Sequence, residues 1–134
     1  MIDIESMIFT PIATALRTEY SGIFVTGEYV PAPAKFPAVS IVEMDNTPDV
    51  RTQTNVNLEN HAVVMYQVDV YSNLSKGKKA QCKAIIASID AQFAQIGFTR
   101  TYLNPVPNLN DATIYRMVAR YQAVVGQDYT IYRR

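Results

Sequence analysis

The strongest constraint on the fold lies in residues 59–71, where apolar and polar side chains alternate. Five apolar residues recur at every second position: Ala62, Val64, Tyr66, Val68 and Val70. Gln67 and Asp69 lie between them. Because successive side chains of a β-strand point to opposite faces, we predict a strand with one buried face, and with Gln67 and Asp69 on an exposed face. The chain must therefore build a sheet that has one face covered.

The first segment that could supply this cover is a helix over residues 3–20. Five apolar residues fall on one helical stripe: Ile4, Ile8, Ile12, Ala15 and Leu16. Asp3 is the predicted N-cap. Pro11 leaves two alternatives open, either a kinked helix or a second, shorter helix that begins at Thr10.

A second amphipathic helix is predicted over residues 76–96. Its apolar stripe has six members: Cys82, Ile85, Ile86, Ile89, Phe93 and Ile96. The polar residues 72–75 offer N-cap groups to its start. Gly97 occupies the position at which we expect a left-handed C-terminal cap.

Four further segments have the composition of strands, namely residues 23–30, 38–45, 98–103 and 113–125. Residues 130–132 are considered as a short edge strand, and the Asn-Thr-Pro-Asp turn at 46–49 is expected to end the second strand. The order α-β-β-β-α-β-β predicts an α+β fold, with a mainly antiparallel sheet of about five strands and two helices packed on one face. A chain of 134 residues has room for one core that buries about two thirds of its surface, so we expect a single domain, 1–134.

The polar segment at residues 46–58 has no apolar face that could lie on this core. Its side chains alternate with almost no large apolar residue, which predicts an extended arm. Long connections without packing of their own are uncommon in compact domains and are usually functional or disordered. We therefore predict that the arm orders against a neighbouring subunit. Its candidate interface residues are Asp49, Arg51, Gln53, Asn55 and Asn57.

The zero net charge of the chain hides an asymmetry between its halves. Residues 1–67 carry eight acids and three bases, whereas residues 68–134 carry four acids and nine bases, so the halves have net charges of −5 and +5. If the halves map onto opposite sides of the fold, one copy would attract the next head-to-tail and favour closed rings. Charge mixing within one subunit is the other interpretation.

The inventory of reactive side chains is short, with one histidine and one cysteine. His61 is interpreted as a strand-end residue, and Cys82 as a buried small hydrophobe on the helical stripe. Glu43, Asp45 and Asp49 could hold a hard cation weakly, but the spacing of a calcium loop is absent, so a solvated acidic loop is favoured. We therefore predict no catalytic, metal-binding or cofactor-binding residues and no enzymatic activity.

Two groups of basic residues lack an assigned partner. Residues 76–79 resemble the end of a phosphate-binding loop, but the upstream glycine and the following Ser or Thr are absent. What remains is the lysine cluster: Lys76, Lys78, Lys79 and Lys83. The helix dipole disfavours it by roughly 0.3–1 kcal/mol, so either a partner's acidic surface or a nucleic-acid backbone compensates, or the cluster is merely solvated.

Arg116 and Arg120 share one strand face, which is either a wet sheet face or an assembly surface.

The sequence also bears on location. No apolar run approaches the roughly 20 residues of a membrane-spanning helix, and the acidic start at residues 1–5 lacks the basic region of a secretory signal. A lone cysteine cannot form an intramolecular disulfide, which fits a reducing compartment. We expect a soluble protein of the cytoplasm.

Several stretches along the whole chain carry a resemblance to a known family. They are Ile-Asp-Ile-Glu at 2–5, Glu-Tyr-Val at 28–30, Phe-Pro-Ala-Val at 36–39 leading to Glu-Met-Asp-Asn at 43–46, Val-Asp-Val-Tyr-Ser-Asn at 68–73 with Gly-Lys-Lys at 77–79, Gly-Phe-Thr-Arg at 97–100, and Thr-Ile-Tyr-Arg at 113–116 followed by Arg-Tyr at 120–121. With them the chain resembles the tail terminator, or tail completion, proteins of long-tailed bacteriophages and related prophage neck proteins.

This resemblance implies a virion structural protein that works without a cofactor. Such proteins form rings, usually hexamers, that stop polymerisation of the tail tube and join the tail to the head. The implied partners are copies of the same chain, the tail tube protein and the head–tail connector protein, and the implied location is the virion neck after assembly in the host bacterial cytoplasm. Genomic DNA passes through such rings without sequence-specific binding, which would give the lysine cluster, Arg116 or Arg120 something to face.

Two alternatives to the terminator remain open at this point. One is a head–tail connector or stopper within the same machinery. The other is a small ligand-binding or regulatory α+β domain, which should have a defined apolar pocket.

Overall fold

The computed structural model describes residues 1–56, 58–108 and 111–133. In these residues two helices are present, α1 (Glu5–Glu19) and α2 (Lys78–Gln95). The strands are β1 (Phe24–Thr26), β2 (Ala38–Pro48), β3 (His61–Ser72), β4 (Thr99–Pro105), β5 (Tyr115–Gly126) and β6 (Ile131–Tyr132), with a 3-10 turn at Val50–Thr52. The predicted α+β class and element order are confirmed, and the short edge strand near the end of the chain is present as β6.

The strands form one sheet in the order β1-β2-β3-β5-β4, and β6 pairs with β5 beyond the end of β4. β3 lies at the centre, antiparallel to both β2 and β5. The sheet is mixed rather than purely antiparallel, because β1 pairs with β2 in parallel. The connector of residues 27–37 is long enough to return the chain to the same end of the sheet, which a tight hairpin turn cannot do.

Both helices pack on the same face of the sheet, as predicted. One apolar cluster joins Ile8, Ile12 and Leu16 of α1 to the stripe of α2 and to the five alternating residues of β3. Phe93 stacks on Tyr121 at a centroid distance of 4.2 Å. Of the predicted α2 stripe, only Ile96 is exposed, because it follows the last helical residue.

The opposite face of the sheet, here called the outer face, is partly covered at one end. The prediction that Asp69 is exposed is wrong, since only 1% of Asp69 is accessible and its neighbour Tyr71 is equally buried. Tyr71 lines a cavity with Tyr29 of the connector and with residues 106–108, so these two loops lie over this end of the sheet. A strand pattern cannot reveal such cover, because it comes from distant parts of the chain.

α1 continues through Pro11 as one helix, so the alternative of a second helix is wrong. Pro11 is exposed, whereas Ile8 and Ile12 on either side of it are buried, and the buried stripe holds both halves of the helix against the sheet. The N-cap is Ile4 rather than Asp3, although the Asp3 carboxylate accepts a hydrogen bond from the Glu5 N–H at 3.1 Å.

The two ends of α2 differ from each other in how well they were predicted. Residues 72–75 do not cap the start. Gly77 does so in a left-handed conformation (φ 81°) and without a side-chain hydrogen bond. Gly97 adopts the predicted left-handed conformation (φ 103°), and the N–H groups of Gly97 and Phe98 donate to the carbonyls of Ala94 and Phe93 at 3.2 and 2.9 Å. This pattern satisfies two carbonyls that the helix end would otherwise leave open.

β2 is longer than predicted and β1 is shorter. The turn residues at 46–48 remain in β2, which continues to Pro48, so the predicted end of this strand is wrong. A bulge at Met44 shifts the register, and the Asn46 amide donates to the Ile2 carbonyl at 2.7 Å. Pro48 has no N–H to donate and is tolerated because β1 pairs only with residues 38–40, so that no strand of the described residues lies beside the outer edge of β2 at this position.

Candidate assembly surfaces

The predicted arm is only partly extended. Val50–Thr52 form a 3-10 turn, so the predicted alternation is wrong there. Asp49 caps this turn by accepting from the Arg51 N–H at 3.2 Å, and it also accepts from the Arg51 guanidinium at 3.2 Å. These hydrogen bonds lower the pKa of Asp49. Two of the candidate interface residues therefore bind each other within one subunit.

The rest of the arm lies on the surface of the subunit. Gln53 and Asn55 are exposed, and so are the apolar side chains of Val50, Val56 and Leu58. Asn57 lies outside the described residues. The arm therefore presents apolar groups that its own subunit does not cover, and its role at an interface stays a prediction.

An acidic groove lies at the β1 end of the sheet. Asp3, Glu5 and Glu28 line a cavity of about 620 Å³ between the start of α1 and the residues that follow β1. Glu43 belongs to the same region: burial raises its pKa first, and the nearby carboxylates of Glu5 and Asp3 raise it further. Negative charge is thus concentrated at this corner of the molecule.

The predicted cluster of Glu43, Asp45 and Asp49 does not converge on one point. In the register of β2 and β3, Glu43 lies opposite Tyr66 and its side chain is on the helix-covered face. Asp45 lies opposite Met65 and its side chain is on the outer face. Among the residues that the structure describes, no group of three His, Cys, Asp or Glu side chains could hold a metal ion.

The lysine cluster lies at the start of α2, as predicted. Lys76, Lys79 and Lys83 are exposed, while the Lys78 ammonium donates to the Thr113 carbonyl at 3.2 Å. Three of the four charges therefore face solvent and are free to meet a partner.

The two candidate arginines of β5 share the outer face, but their surroundings differ. Arg116 donates to Asp69 from Nε at 3.0 Å and from Nη2 at 2.6 Å, and Tyr71 donates to the same carboxylate at 3.3 Å. Arg120 is exposed and donates to Gln67 at 3.0 Å. Arg116 thus neutralises a buried acid inside its own subunit, and Arg120 is the stronger candidate for contact with DNA or a partner.

A groove between α2 and β4 was missed by sequence reasoning. Its cavity of about 480 Å³ has an apolar floor that includes Ile86, Leu103 and Met117, and Lys83 and Arg100 stand beside it. Arg100 also forms an ion pair with Asp90 at 3.0 Å. No signal in the sequence could have found this groove, because its walls come from a helix, an edge strand and their neighbour in the sheet.

The sheet order places the two charged halves of the sequence at opposite edges. Residues 1–67, with net charge −5, supply α1, β1, β2 and half of β3, whereas residues 68–134, with net charge +5, supply α2, β4, β5 and β6. Since β1 and β2 lie at one end of the strand order and β4 at the other, the acidic groove and the α2–β4 groove lie at opposite ends of the sheet.

The two reactive side chains lie where the sequence suggested. Cys82 is fully buried, and burial raises the pKa of its thiol to about 12, which disfavours the thiolate. His61 begins β3, and its ring meets Tyr132 edge-on at 5.6 Å.

Neither described helix is long and apolar enough to cross a membrane.

Comparison with known proteins supplies no family assignment. The sequence matches no protein-family model, and a search of curated proteins found no significant match.

Proposed function

We propose that this protein is a bacteriophage virion structural protein that forms a ring on the end of the tail tube, terminates tail polymerisation and joins the tail to the head. The observation that carries the proposal is the separation of opposite charge onto the two edges of the sheet. Two different, complementary surfaces on opposite sides of one subunit favour head-to-tail contacts, and such contacts form a closed ring when the rotation between neighbouring copies closes, or an open filament when it does not. The resemblance to tail terminators implies where the ring would sit in the virion and that such rings usually contain six subunits.

Contacts between like edges would work against this geometry. A two-fold dimer brings the same patch of both subunits together, so it would place acid against acid or base against base. A ring avoids this conflict because each contact joins one acidic edge to one basic edge.

Exposed basic groups suit the inner surface of such a ring. Lys76, Lys79 and Arg120 present positive charge that could face a passing phosphate backbone. Binding would be independent of base sequence, as the proposal requires for DNA in transit. The protein acts in the neck of the virion and has no catalytic role in this proposal.

The test is assembly in the presence of tail tubes. Native mass spectrometry and negative-stain electron microscopy of the purified protein, alone and mixed with tail tube protein, should show rings that sit on tube ends. A strict monomer at high concentration that forms no ring when tubes are added would overturn the proposal. The same mixtures separate the connector alternative, since a connector or stopper would bind filled heads and leave free tails uncapped.

A small ligand-binding domain is a second candidate because of one cavity. Tyr29, Tyr71 and Arg116 line a space of about 340 Å³ at the covered end of the outer face, which is within the usual range for ligand pockets. A ligand there would stabilise the fold, so a thermal-shift screen with small neutral aromatic compounds should raise the melting temperature of the wild type but not of Tyr29→Ala, which changes an exposed lining residue and leaves the Arg116–Asp69 pair intact. No shift in the wild type would exclude this class of ligand.

A further inference from the structure

We infer that the α2–β4 groove receives the outer edge of β2 from a second copy of this chain, with Met44 seated against the apolar floor. The inference rests on the proposed function, since it names the two surfaces that would meet at each contact of the ring. Its starting point is the α2–β4 groove, which combines an apolar floor with the basic side chains of Lys83 and Arg100.

Both strands that would meet have a free edge. β4 is the last strand on its side of the sheet, and its outer edge has no strand beside it among the described residues. β1 covers β2 only at residues 38–40, so the stretch Ile41–Pro48 is likewise unpaired on its outer side. Unpaired strand edges carry backbone donors and acceptors that a second chain can use.

The β2 edge carries a side chain that suits the groove. Met44 is the extra residue of the β2 bulge, and 54% of it is exposed. Methionine is flexible and polarisable and fills irregular apolar spaces well. Opposite it, Leu103 of β4 is 36% exposed at the groove. A contact would cover both apolar groups.

Charges around the two surfaces are complementary. Met44 lies between Glu43 and Asp45, and Asp45 is exposed on the outer face. The groove offers Lys83, which is exposed, whereas Arg100 is paired with Asp90 of the same groove, so Lys83 supplies its net positive charge. Contact of a β2 edge with a groove therefore joins opposite charges, whereas contact of two β2 edges would join like charges.

The bulges make the pairing selective. β4 has a bulge at Thr101 and β2 has one at Met44, and each strand ends in proline. Such features discourage indiscriminate pairing of strand edges. The contact would thus depend on side-chain complementarity, which directs β2 to the groove of the next copy.

Cross-linking between single-cysteine positions tests the inference. Met44→Cys and Leu103→Cys change exposed residues, and the native Cys82 is buried, so wild-type protein treated with a short bis-maleimide is the background control. An equimolar mixture of the two variants should yield a cross-linked dimer that contains one chain of each. Either variant alone should yield none, and the double variant should yield a ladder that ends at the ring. Circular dichroism checks that each variant folds.

Charge reversal provides an independent readout of the same contact. Lys83→Glu and Asp45→Lys should each weaken self-association roughly fivefold, and the double variant should restore it because the pair is exchanged at every contact. Lys35→Glu reverses an exposed lysine of the β1–β2 connector and should leave association unchanged.

The outcomes separate this inference from the proposed function. Rings that form without a Met44–Leu103 cross-link, and that charge reversal does not affect, would overturn the inference and leave the ring intact. A cross-link of either variant to itself, or of Leu103→Cys only to tail tube protein, would also overturn it. Absence of rings with tubes present would overturn both.

Discussion

At the scale of single residues, the buried carboxylate of Asp69 organises the outer face. It accepts from Arg116 and Tyr71 on one oxygen and from Gln67 at 2.9 Å on the other. Burial of a charge is costly unless it is paired and hydrogen-bonded, and these donors supply that compensation. The proximity of Asp69 raises the pKa of Tyr71, although burial is the larger cause.

Removal of Arg116 should therefore be much more damaging than removal of Arg120. Arg116→Ala leaves Asp69 buried without its cation, and we expect a loss of about 3 kcal/mol in the free energy of unfolding, the lower end for a broken buried pair because Tyr71 and Gln67 still donate. Arg120→Ala, on the same face but exposed, should lose less than about 1 kcal/mol. Urea denaturation followed by circular dichroism measures both. Equal losses would show that Asp69 does not depend on its ion pair.

Glu43 provides a pH-dependent prediction at the same scale. Its pKa is raised above the ordinary 4.5 by burial first and by Glu5 and Asp3 next, so the folded state retains a proton that the unfolded chain releases. The contribution of Glu43 to the stability of the wild type should fall as the pH rises from 4.5 through the raised pKa. Glu43→Gln removes this loss and should be the more stable protein at neutral pH. The gap between the two proteins in the free energy of unfolding should close near pH 4.

Thermal unfolding of both proteins across this pH range measures the gap. In an Asp3→Asn, Glu5→Gln background the gap should become smaller but persist, because burial is the largest cause. A gap of constant size at all pH values would contradict the assignment to ionisation.

At the scale of elements, the end of α2 depends on Gly97. Its φ of 103° is unfavourable for residues with a Cβ, and a Cβ placed there would lie 3.2 Å from Cγ2 of Ile131 in β6. The helix cap and the last short strand are thus coupled through one position.

Gly97→Ala should lower the free energy of unfolding by about 1–2 kcal/mol from backbone strain, with an added loss from the contact with Ile131. Gly77→Ala is the matched control, since Gly77 has φ 81° with no heavy atom within 4 Å of an added Cβ. Chemical denaturation should rank Gly97→Ala as the more damaging change. In an Ile131→Ala background the difference between the two substitutions should become smaller, and an unchanged difference would mean that the Ile131 side chain is not its cause.

At the scale of the whole molecule, the edge-to-edge separation of charge governs association. The β2 and β4 strands lie three strand spacings apart, roughly 14 Å, so the acidic and basic edges are distinct surfaces rather than one mixed patch. Attraction between edges of neighbouring copies acts in solvent and is therefore screened by salt.

Self-association should weaken as salt is raised from about 0.1 M to 1 M, because the Debye length falls from about 10 Å to 3 Å over this range. Sedimentation velocity at several protein concentrations measures the change. Association that is unaffected or strengthened by salt would show that apolar contacts, rather than the separated charges, hold the copies together.

The sequence by itself determined the features that follow from short repeats. The two-residue period identified β3, the helical period identified the buried stripes that include Cys82, and a glycine after such a stripe identified the cap at Gly97. The charge split was also visible without a structure. These features could be predicted because each depends on residues that are near one another in the chain.

Only the tertiary structure decided the features that join distant segments. Asp69 is buried because Arg116, 47 residues away, and two covering loops meet it, and the α2–β4 groove exists because an edge strand lies beside a helix. The charge difference between the two halves of the sequence becomes a difference between two surfaces only because the sheet order places β2 and β4 at opposite sides. Strand pairing between remote segments depends on the packing of the whole chain. Local periodicity therefore does not predict which remote strands become neighbours.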